Sequence, residues 1–306
     1  MKRAFPSLCL LVAIASFSLA GDLPYARIPD VVYGRKDGTA LTMDVFVPKK
    51  NANGAAVIWV VSGGWFSAHA SINPKVAEVF VERGYTVFAV VHGSQPRYTI
   101  PEILLDMNRS VRYIRSHAKE YKIGPNRIGI SGASAGGHLS LMQGTAGDLG
   151  DPKAKDPVDR ASSRVQAVAC FFPPTDFLNY GEKGKDAIGR GTLSGFKAPF
   201  DFKEFDPKTK KYERITDEKK IVEIGRAISP ITHVTPDDPP TLIAHGDKDL
   251  LVPIQQAESI VAKLKEVGVP AELIVRKDAV HGWKDMHVEL GRFADWFDKY
   301  LPKSKN

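Results

Sequence analysis

The stretch that decides the fold is RIGISGASAGGHLSLM, residues 127–142. Its apolar start is typical of a buried strand, and the residues after Gly137 are typical of a helix. Between them, Gly-Ala-Ser-Ala-Gly places Ser134 in a sharp strand-to-helix turn that exposes its Oγ. Serine is a weak nucleophile unless a base takes its proton. We therefore predict that Ser134 is a nucleophile, and that the Ala135 N–H, at the positive end of the helix, binds an oxyanion.

Strands and helices alternate on both sides of this turn. Apolar runs predict strands at about 28–33, 41–45, 55–61, 85–91, 127–130, 165–172, 240–244 and 271–275. Capping and proline signals predict helices at about 73–83, 101–121, 253–267 and 285–300. Most of these strands are apolar throughout, which is typical of a parallel sheet covered on both faces. We predict an α/β fold of about eight mostly parallel strands with helices on both faces.

A serine nucleophile needs a base and an acid that orients the base. His281 follows the last strand, before the mobile Gly282 and the final helix, and is the predicted base. Asp247 and Asp249 follow the preceding strand. Asp247 suits the tight turn itself, where a short carboxylate bonds its own backbone, so Asp249 is the predicted acid. The chain order Ser134, Asp249, His281 is that of the α/β-hydrolase fold.

The loop after the first core strand, Ser62-Gly63-Gly64-Trp65, is suited to crowd backbone N–H groups around an oxyanion. We predict that Gly64 or Trp65 supplies a second donor beside Ala135. Three aromatic residues flank the predicted site and are candidates to stack on a sugar or an aromatic acyl group: Trp65, Phe66 and Trp283. Packing is the alternative for each of them.

Residues 1–20 are typical of a secretory signal peptide, with Lys2 and Arg3 before a short apolar run and small residues before Gly21. Residues 21–306 are then expected to form one domain, secreted or periplasmic, with no membrane association after cleavage. Cys170 is the single cysteine of this part, so no internal disulfide is expected.

Residues 177–226 interrupt the alternation of strands and helices and are rich in Gly, Lys, Asp and Glu. Within them, Asp217 and Glu218 suit the first turn of a short helix. A connection of this length inside a compact domain usually either has a function or is disordered. A lid over the strand ends and a solvated excursion without a role both remain open.

Charge and spacing exclude several classes of function. The net charge of +7 is spread along the chain without a basic, aromatic-spaced stripe, which argues against nucleic-acid binding. We find no spacing typical of a metal site, and the glycine-rich turns match neither a P-loop nor a dinucleotide-binding motif. No metal or cofactor is therefore expected. The oligomeric state stays open.

The chain resembles the α/β hydrolases of the acetyl esterase/lipase type, near the bacterial bifunctional feruloyl and acetyl-xylan esterases. The resemblance covers about residues 28–302 and rests on six motifs: 62–65, Asp106 with Arg109 and Arg112, 132–138, 229–231, 245–253 and 281–283. One position departs from the family, whose oxyanion loop usually begins His-Gly-Gly, because Ser62 stands in place of that histidine.

The resemblance, taken with the predicted signal peptide, leads us to expect a secreted serine carboxylesterase that hydrolyses acetyl or feruloyl esters on plant polysaccharide or its fragments. The alternatives are a serine peptidase of the prolyl-oligopeptidase type acting on short peptides, and a non-catalytic binding module on the same fold. Those peptidases usually carry a propeller domain, which we do not expect in residues 21–306.

Overall fold

The computed structural model describes residues 23–301. The predicted signal peptide, residues 1–20, lies outside the described residues, as does the cleavage site. No helix within residues 23–301 has the length and apolar character needed to cross a membrane.

Eight of the ten strands in the described residues lie close to the predicted positions, and two, Lys203–Asp206 and Lys211–Arg214, were not predicted. The ten strands are β1 (Tyr25–Lys36), β2 (Thr39–Pro48), β3 (Ala56–Val61), β4 (Thr86–Val91), β5 (Ile128–Ala133), β6 (Ala167–Phe171), β7 (Lys203–Asp206), β8 (Lys211–Arg214), β9 (Thr241–Gly246) and β10 (Ala271–Arg276). Within the described residues, eight of them form one sheet in the order β1-β2-β4-β3-β5-β6-β9-β10. The β2 strand pairs antiparallel with β1 and β4, and the remaining pairs are parallel. The predicted fold class is confirmed.

Helices cover both faces of this sheet. They are α1 (Pro74–Val81), α2 (Ile100–Ser116), α3 (Ala135–Ala146), α4 (Glu218–Ala227), α5 (Gln255–Glu266) and α6 (His287–Tyr300). The apolar sides of α1 and α6 pack on one face, and those of α2, α3 and α5 pack on the other. Local signals set the helix starts: the Asn73 side chain accepts from the Lys75 N–H, and Thr99 and Glu102 form a capping box. The α2 helix ends at Ser116, before the predicted Tyr121, because the chain turns at residues 117–122.

The 177–226 insertion has two parts with different surroundings. Residues 177–202 bury aromatic and aliphatic side chains in the core on the α3 face, among them Phe177, Phe200 and Phe202. Because these side chains are buried, residues 177–202 are not a solvated excursion. The β7–β8 hairpin that follows is exposed along both strands. The predicted short helix is α4, and the Asp217 side chain caps it by accepting from the Lys219 N–H.

Candidate active site

Ser134 lies in the turn between β5 and α3, with φ +54° and ψ −119°. A non-glycine residue rarely adopts a positive φ, and such strain is concentrated at functional sites. The flanking glycines make the turn sterically possible. A Cβ at Gly132 would lie 2.5 Å from the Gly136 carbonyl oxygen, and one at Gly136 would lie 2.8 Å from the Val60 carbonyl oxygen. The small residues of the motif are therefore required by close backbone contacts on both sides of the serine.

The structure brings the three residues of the predicted triad together at the carboxyl ends of β5, β9 and β10. Ser134 Oγ lies 2.9 Å from His281 Nε2, and His281 Nδ1 lies 2.7 Å from Asp249 Oδ2. Since a carboxylate only accepts, Nδ1 carries the proton and Nε2 is free to accept from the Ser134 hydroxyl. Ser134 and His281 are half-buried, so both can meet a ligand from solvent.

Four donors hold the Asp249 carboxylate, which is almost completely buried. Oδ1 accepts from the Leu251 and Val252 N–H groups, both at 2.9 Å. Oδ2 accepts from His281 Nδ1 at 2.7 Å and, more weakly at 3.5 Å, from His245 Nε2, whose N–H has its shorter hydrogen bond with the Val252 carbonyl oxygen at 2.8 Å. Burial alone would raise the pKa of Asp249, but the hydrogen bonds from His245, His281 and the Val252 N–H outweigh it and hold that pKa well below its usual range. Asp249 is thus a carboxylate wherever the protein is folded near neutral pH.

Asp247 lies in the tight turn, as predicted, and its Oδ1 accepts from the Asp278 N–H at 2.6 Å. This contact ties the β9 turn to the loop that carries His281. It leaves Asp247 directed away from the imidazole, which meets Asp249 instead.

The loop at residues 62–67, called the 62–67 loop below, carries the other predicted oxyanion donors. Gly64 and Trp65 both have positive φ, +54° and +61°, and Gly63 and Phe66 pair through two backbone hydrogen bonds. Within residues 23–301, the Gly64 and Trp65 N–H groups have no hydrogen-bond partner. The N–H of Ala135, the first residue of α3, has no intrahelical partner either. These groups are available to bind a negative oxygen.

The three predicted substrate-binding aromatics have different surroundings. Trp65 is 2% exposed and packs against Phe177 and Phe200, so for this residue the packing alternative holds and its ring offers no surface for stacking. Trp283 is half-buried, and its Nε1–H donates to Glu289. Phe66 is 49% exposed and borders a cavity of about 350 Å³. Gly63 and Ala133 also line this cavity, which places it beside the nucleophile turn.

Sequence reasoning missed three buried histidines and one aromatic residue around this site. His245 contacts Asp249, His92 Nε2 accepts from Ser62 Oγ at 2.8 Å, and His138 Nδ1 accepts from Trp65 Nε1 at 3.1 Å. The Phe172 ring lies 4.5 Å from the His281 ring. These contacts join distant parts of the chain, so spacing alone gives no signal for them, except that His245 and Asp249 are four residues apart across one turn.

A cluster that spacing did not indicate lies apart from these residues. One ligand atom each from Asp30, Asp44 and His69 lie within 4.8 Å of one another. The buried Asp44 carboxylate also accepts from Arg27 Nε at 2.6 Å and from the Asp30 N–H. An ion pair and hydrogen bonds within the chain thus account for this cluster.

The BD-FAE family model matches residues 43–264, which span the nucleophile turn and Asp249. This chain belongs to the BD-FAE family. The BD-FAE chain is 29% identical over 248 residues to "Probable carboxylic ester hydrolase LipM" of Mycobacterium tuberculosis, covering 79% of this chain and 53% of that protein. It spans about half the length of the curated relatives that it matches.

Solved structures share the whole fold of this BD-FAE chain. A truncated carbohydrate esterase from gut microbiota superposes with a TM-score of 0.72 at 25% identity, covering 92% of this chain and 99% of that one. An acetyl ester-xyloside bifunctional hydrolase from Caldicellulosiruptor lactoaceticus superposes with a TM-score of 0.68 at 25% identity, covering 92% and 96%. These matches confirm the predicted resemblance to esterases of the α/β-hydrolase type.

Proposed function

We propose that this chain is a serine carboxylic ester hydrolase that acts on acetyl or feruloyl esters of plant polysaccharide or its fragments. The observation that carries the proposal is the hydrogen-bonded series Ser134, His281, Asp249, with distances of 2.9 and 2.7 Å. Its chain order and its position at the strand ends fit the α/β-hydrolase mechanism. The esterase relatives and structural neighbours support the same chemistry.

In the proposed reaction, His281 Nε2 takes the Ser134 proton as Oγ attacks the ester carbonyl carbon. The Ala135 N–H, with that of Gly64 or Trp65, binds the oxygen that becomes negative. The intermediate collapses, His281 gives its proton to the leaving alcohol, and the acyl group stays on Ser134. Water, deprotonated by His281, then attacks the acyl-enzyme, and the acid leaves as His281 returns the proton to Ser134 Oγ. Asp249 holds the imidazole in orientation and stabilises its charged form.

The polysaccharide part of the proposal is supported by the names of two structural neighbours and by the predicted export. The two structural neighbours named above are a carbohydrate esterase and an acetyl ester-xyloside hydrolase. Export, proposed from residues 1–20, would bring the enzyme to polymers outside the cytoplasm.

Hydrolysis of four substrates tests this proposal: para-nitrophenyl acetate, acetylated xylan, methyl ferulate and a peptide para-nitroanilide. Ser134→Ala is the inactive variant, and Ser116→Ala, on the exposed end of α2, is the matched control. Ester turnover that Ser134→Ala abolishes and Ser116→Ala keeps is the expected result. Turnover of the anilide alone would replace the proposal with the peptidase, and no turnover in any assay would favour the binding module.

A further inference from the structure

A buried chain of hydrogen bonds joins the 62–67 loop to the helix that follows Ser134 and to Ile228, directly after α4. Trp65 Nε1–H donates to His138 Nδ1 at 3.1 Å, and His138 Nε2–H donates to the Ile228 carbonyl oxygen at 2.7 Å. The three residues are at most 2% exposed. The triad proposed above uses neither Trp65 Nε1 nor His138.

The partners determine the state of His138. An indole N–H only donates and a carbonyl oxygen only accepts, so the imidazole must be neutral with its proton on Nε2. Burial favours the same form, since it lowers the pKa of His138 to about 4 against a smaller effect of the Ile228 carbonyl. The Trp65–His138 hydrogen bond is thus present over the whole neutral range.

The backbone of Gly64 and Trp65 has an unfavourable conformation that contacts with the rest of the protein must stabilise. Gly64 and Trp65 have positive φ in succession, and for Trp65 that conformation costs about 1 kcal/mol or more. Ser62 and Ser67 fix the two ends of the loop through hydrogen bonds to His92 Nε2 and Ser94 Oγ. At Trp65 itself, the Gln95 N–H donates to the carbonyl oxygen at 3.2 Å, and the indole N–H donates to His138. Rings of Phe177, Phe200 and His138 surround the indole, with centroids 5.2–6.0 Å away.

His138 also has a fixed relation to the nucleophile. Its N–H donates to the Ser134 carbonyl oxygen at 2.9 Å, closing the first turn of α3. One residue therefore contacts the serine through its backbone and the 62–67 loop through its side chain. A change in this hydrogen bond would move the Gly64 and Trp65 N–H groups relative to Ser134 Oγ.

We propose that His138 is a positioning residue that sets the 62–67 loop against Ser134 by accepting the Trp65 indole hydrogen bond. The inference rests on the ester hydrolase proposed above and adds to it the element that aligns its oxyanion donors. Because these donors act on the transition state more than on the substrate, the effect belongs in kcat and not in KM.

The test compares Trp65→Phe, which removes the donor and keeps an aromatic ring, with His138→Leu and His138→Gln. We expect Trp65→Phe and His138→Leu each to lower kcat for para-nitrophenyl acetate about 100-fold, as a misplacement of about 1 Å does, with KM nearly unchanged. The double variant should be no worse than the poorer single one, because both remove the same hydrogen bond. His138→Gln, whose amide can accept from Trp65, should recover much of kcat.

Trp296→Phe is the matched control, since the buried indole of Trp296, on α6, donates to the Pro240 carbonyl oxygen at the start of β9. It should lower the thermal midpoint without changing kcat. Equal losses of kcat in Trp65→Phe and Trp296→Phe, or fully additive losses in the double variant, would overturn the inference.

A fluorophosphonate that labels the nucleophilic serine separates this inference from the proposed function. Its phosphoryl oxygen also gains charge during attack, so the rate of labelling depends on the same donors whatever the natural substrate is. Labelling of Ser134 without ester turnover would overturn the ester hydrolase alone. Wild-type labelling rates in Trp65→Phe and His138→Leu would overturn the role of His138 alone, and an unlabelled wild type would overturn both.

Discussion

Phe196 of the insertion lies directly against Gly64 of the 62–67 loop. A Cβ built on Gly64 would lie 2.5 Å from Cε1 of the Phe196 ring, and the Gly64 φ is +54°. The Phe196 ring also packs edge-on against the Trp65 indole, with centroids 6.4 Å apart. The insertion is therefore part of the wall that supports the predicted oxyanion loop.

Gly64→Ala should destabilise the protein, because the new methyl group meets Phe196 and the positive φ disfavours any side chain. Overpacking of this kind typically costs about 1–3 kcal/mol. Gly63→Ala is the matched control, since a Cβ there would meet nothing within 4 Å and should change the free energy of unfolding by less than about 0.5 kcal/mol. Urea unfolding of both variants measures this difference. Equal stability of the two variants would contradict the described contact.

Asp249→Asn should lower kcat by about 10⁴, because an amide in this position favours the wrong imidazole tautomer. Asp247→Asn is the matched variant, two residues away on the same turn. It keeps an oxygen that accepts from the Asp278 N–H, so its kcat should stay close to wild type. Steady-state kinetics with para-nitrophenyl acetate compare them. A large loss in Asp247→Asn with an active Asp249→Asn would reverse the assignment of the acid.

The parts of the structure that sequence predicted are those with local signals. The strand before Ser134 is apolar, its turn has glycines where the backbone closes on itself, and Pro74 marks the start of α1. Asp249 and His281 follow β9 and β10, which are parallel neighbours. Both residues therefore lie at the same edge of the sheet. The sequence-based reason for separating the two acids was wrong: Asp249 bonds the backbone of its own turn, at Leu251 and Val252, whereas Asp247 accepts from the Asp278 N–H, 31 residues away.

The parts that sequence did not predict depend on long-range contacts or lack periodicity. His92 and His138 meet Ser62 and Trp65 across 30 and 73 residues, and no spacing encodes such pairs. The β7–β8 hairpin has both faces exposed, so it shows no alternation of apolar and polar residues. Residues 177–202 are rich in Gly, Lys and Asp, yet their aromatic side chains, such as Phe177 and Phe200, are buried in the same core cluster as Trp65.

The stability of the folded protein should fall as the pH falls below about 6.5, in part through His92. Burial lowers the pKa of His92 to about 4, with the Gly93 carbonyl opposing this and Lys36 adding to it. In the unfolded chain a histidine titrates near 6.5. Between pH 6.5 and pH 4, His92 binds a proton in the unfolded state but not in the folded state. The free energy of unfolding therefore falls on acidification through this range, and the contribution of His92 to the loss levels off below pH 4.

Urea unfolding at pH 7 and pH 5 measures this contribution. His92→Gln should lose about 2 kcal/mol less stability between these two pH values than the wild type does. His287→Gln, on the exposed start of α6, is the control and should lose as much as the wild type. Identical losses in wild type and His92→Gln would mean that His92 is not held neutral by burial.

The two parts of the insertion should respond differently to change. Phe200 packs on Trp65 and Phe177 with ring centroids 5.2 and 5.4 Å away, so Phe200→Ala should cost about 3–5 kcal/mol in the free energy of unfolding. The hairpin can instead be replaced by an Asn-Gly turn, because the Ile215 N–H already donates to the Phe202 carbonyl oxygen at 2.9 Å.

Replacement of residues 203–214 by this turn should leave stability and the turnover of para-nitrophenyl acetate near wild type, because the strands of the hairpin are exposed. The same variant assayed on acetylated xylan tests whether the hairpin, with its exposed Phe205 and Tyr212 pair, contacts polymer. Faster turnover of para-nitrophenyl acetate after the replacement would contradict this expectation. It would identify the hairpin as a lid, because a small ester that makes no contact with the hairpin gains only from easier access to the site.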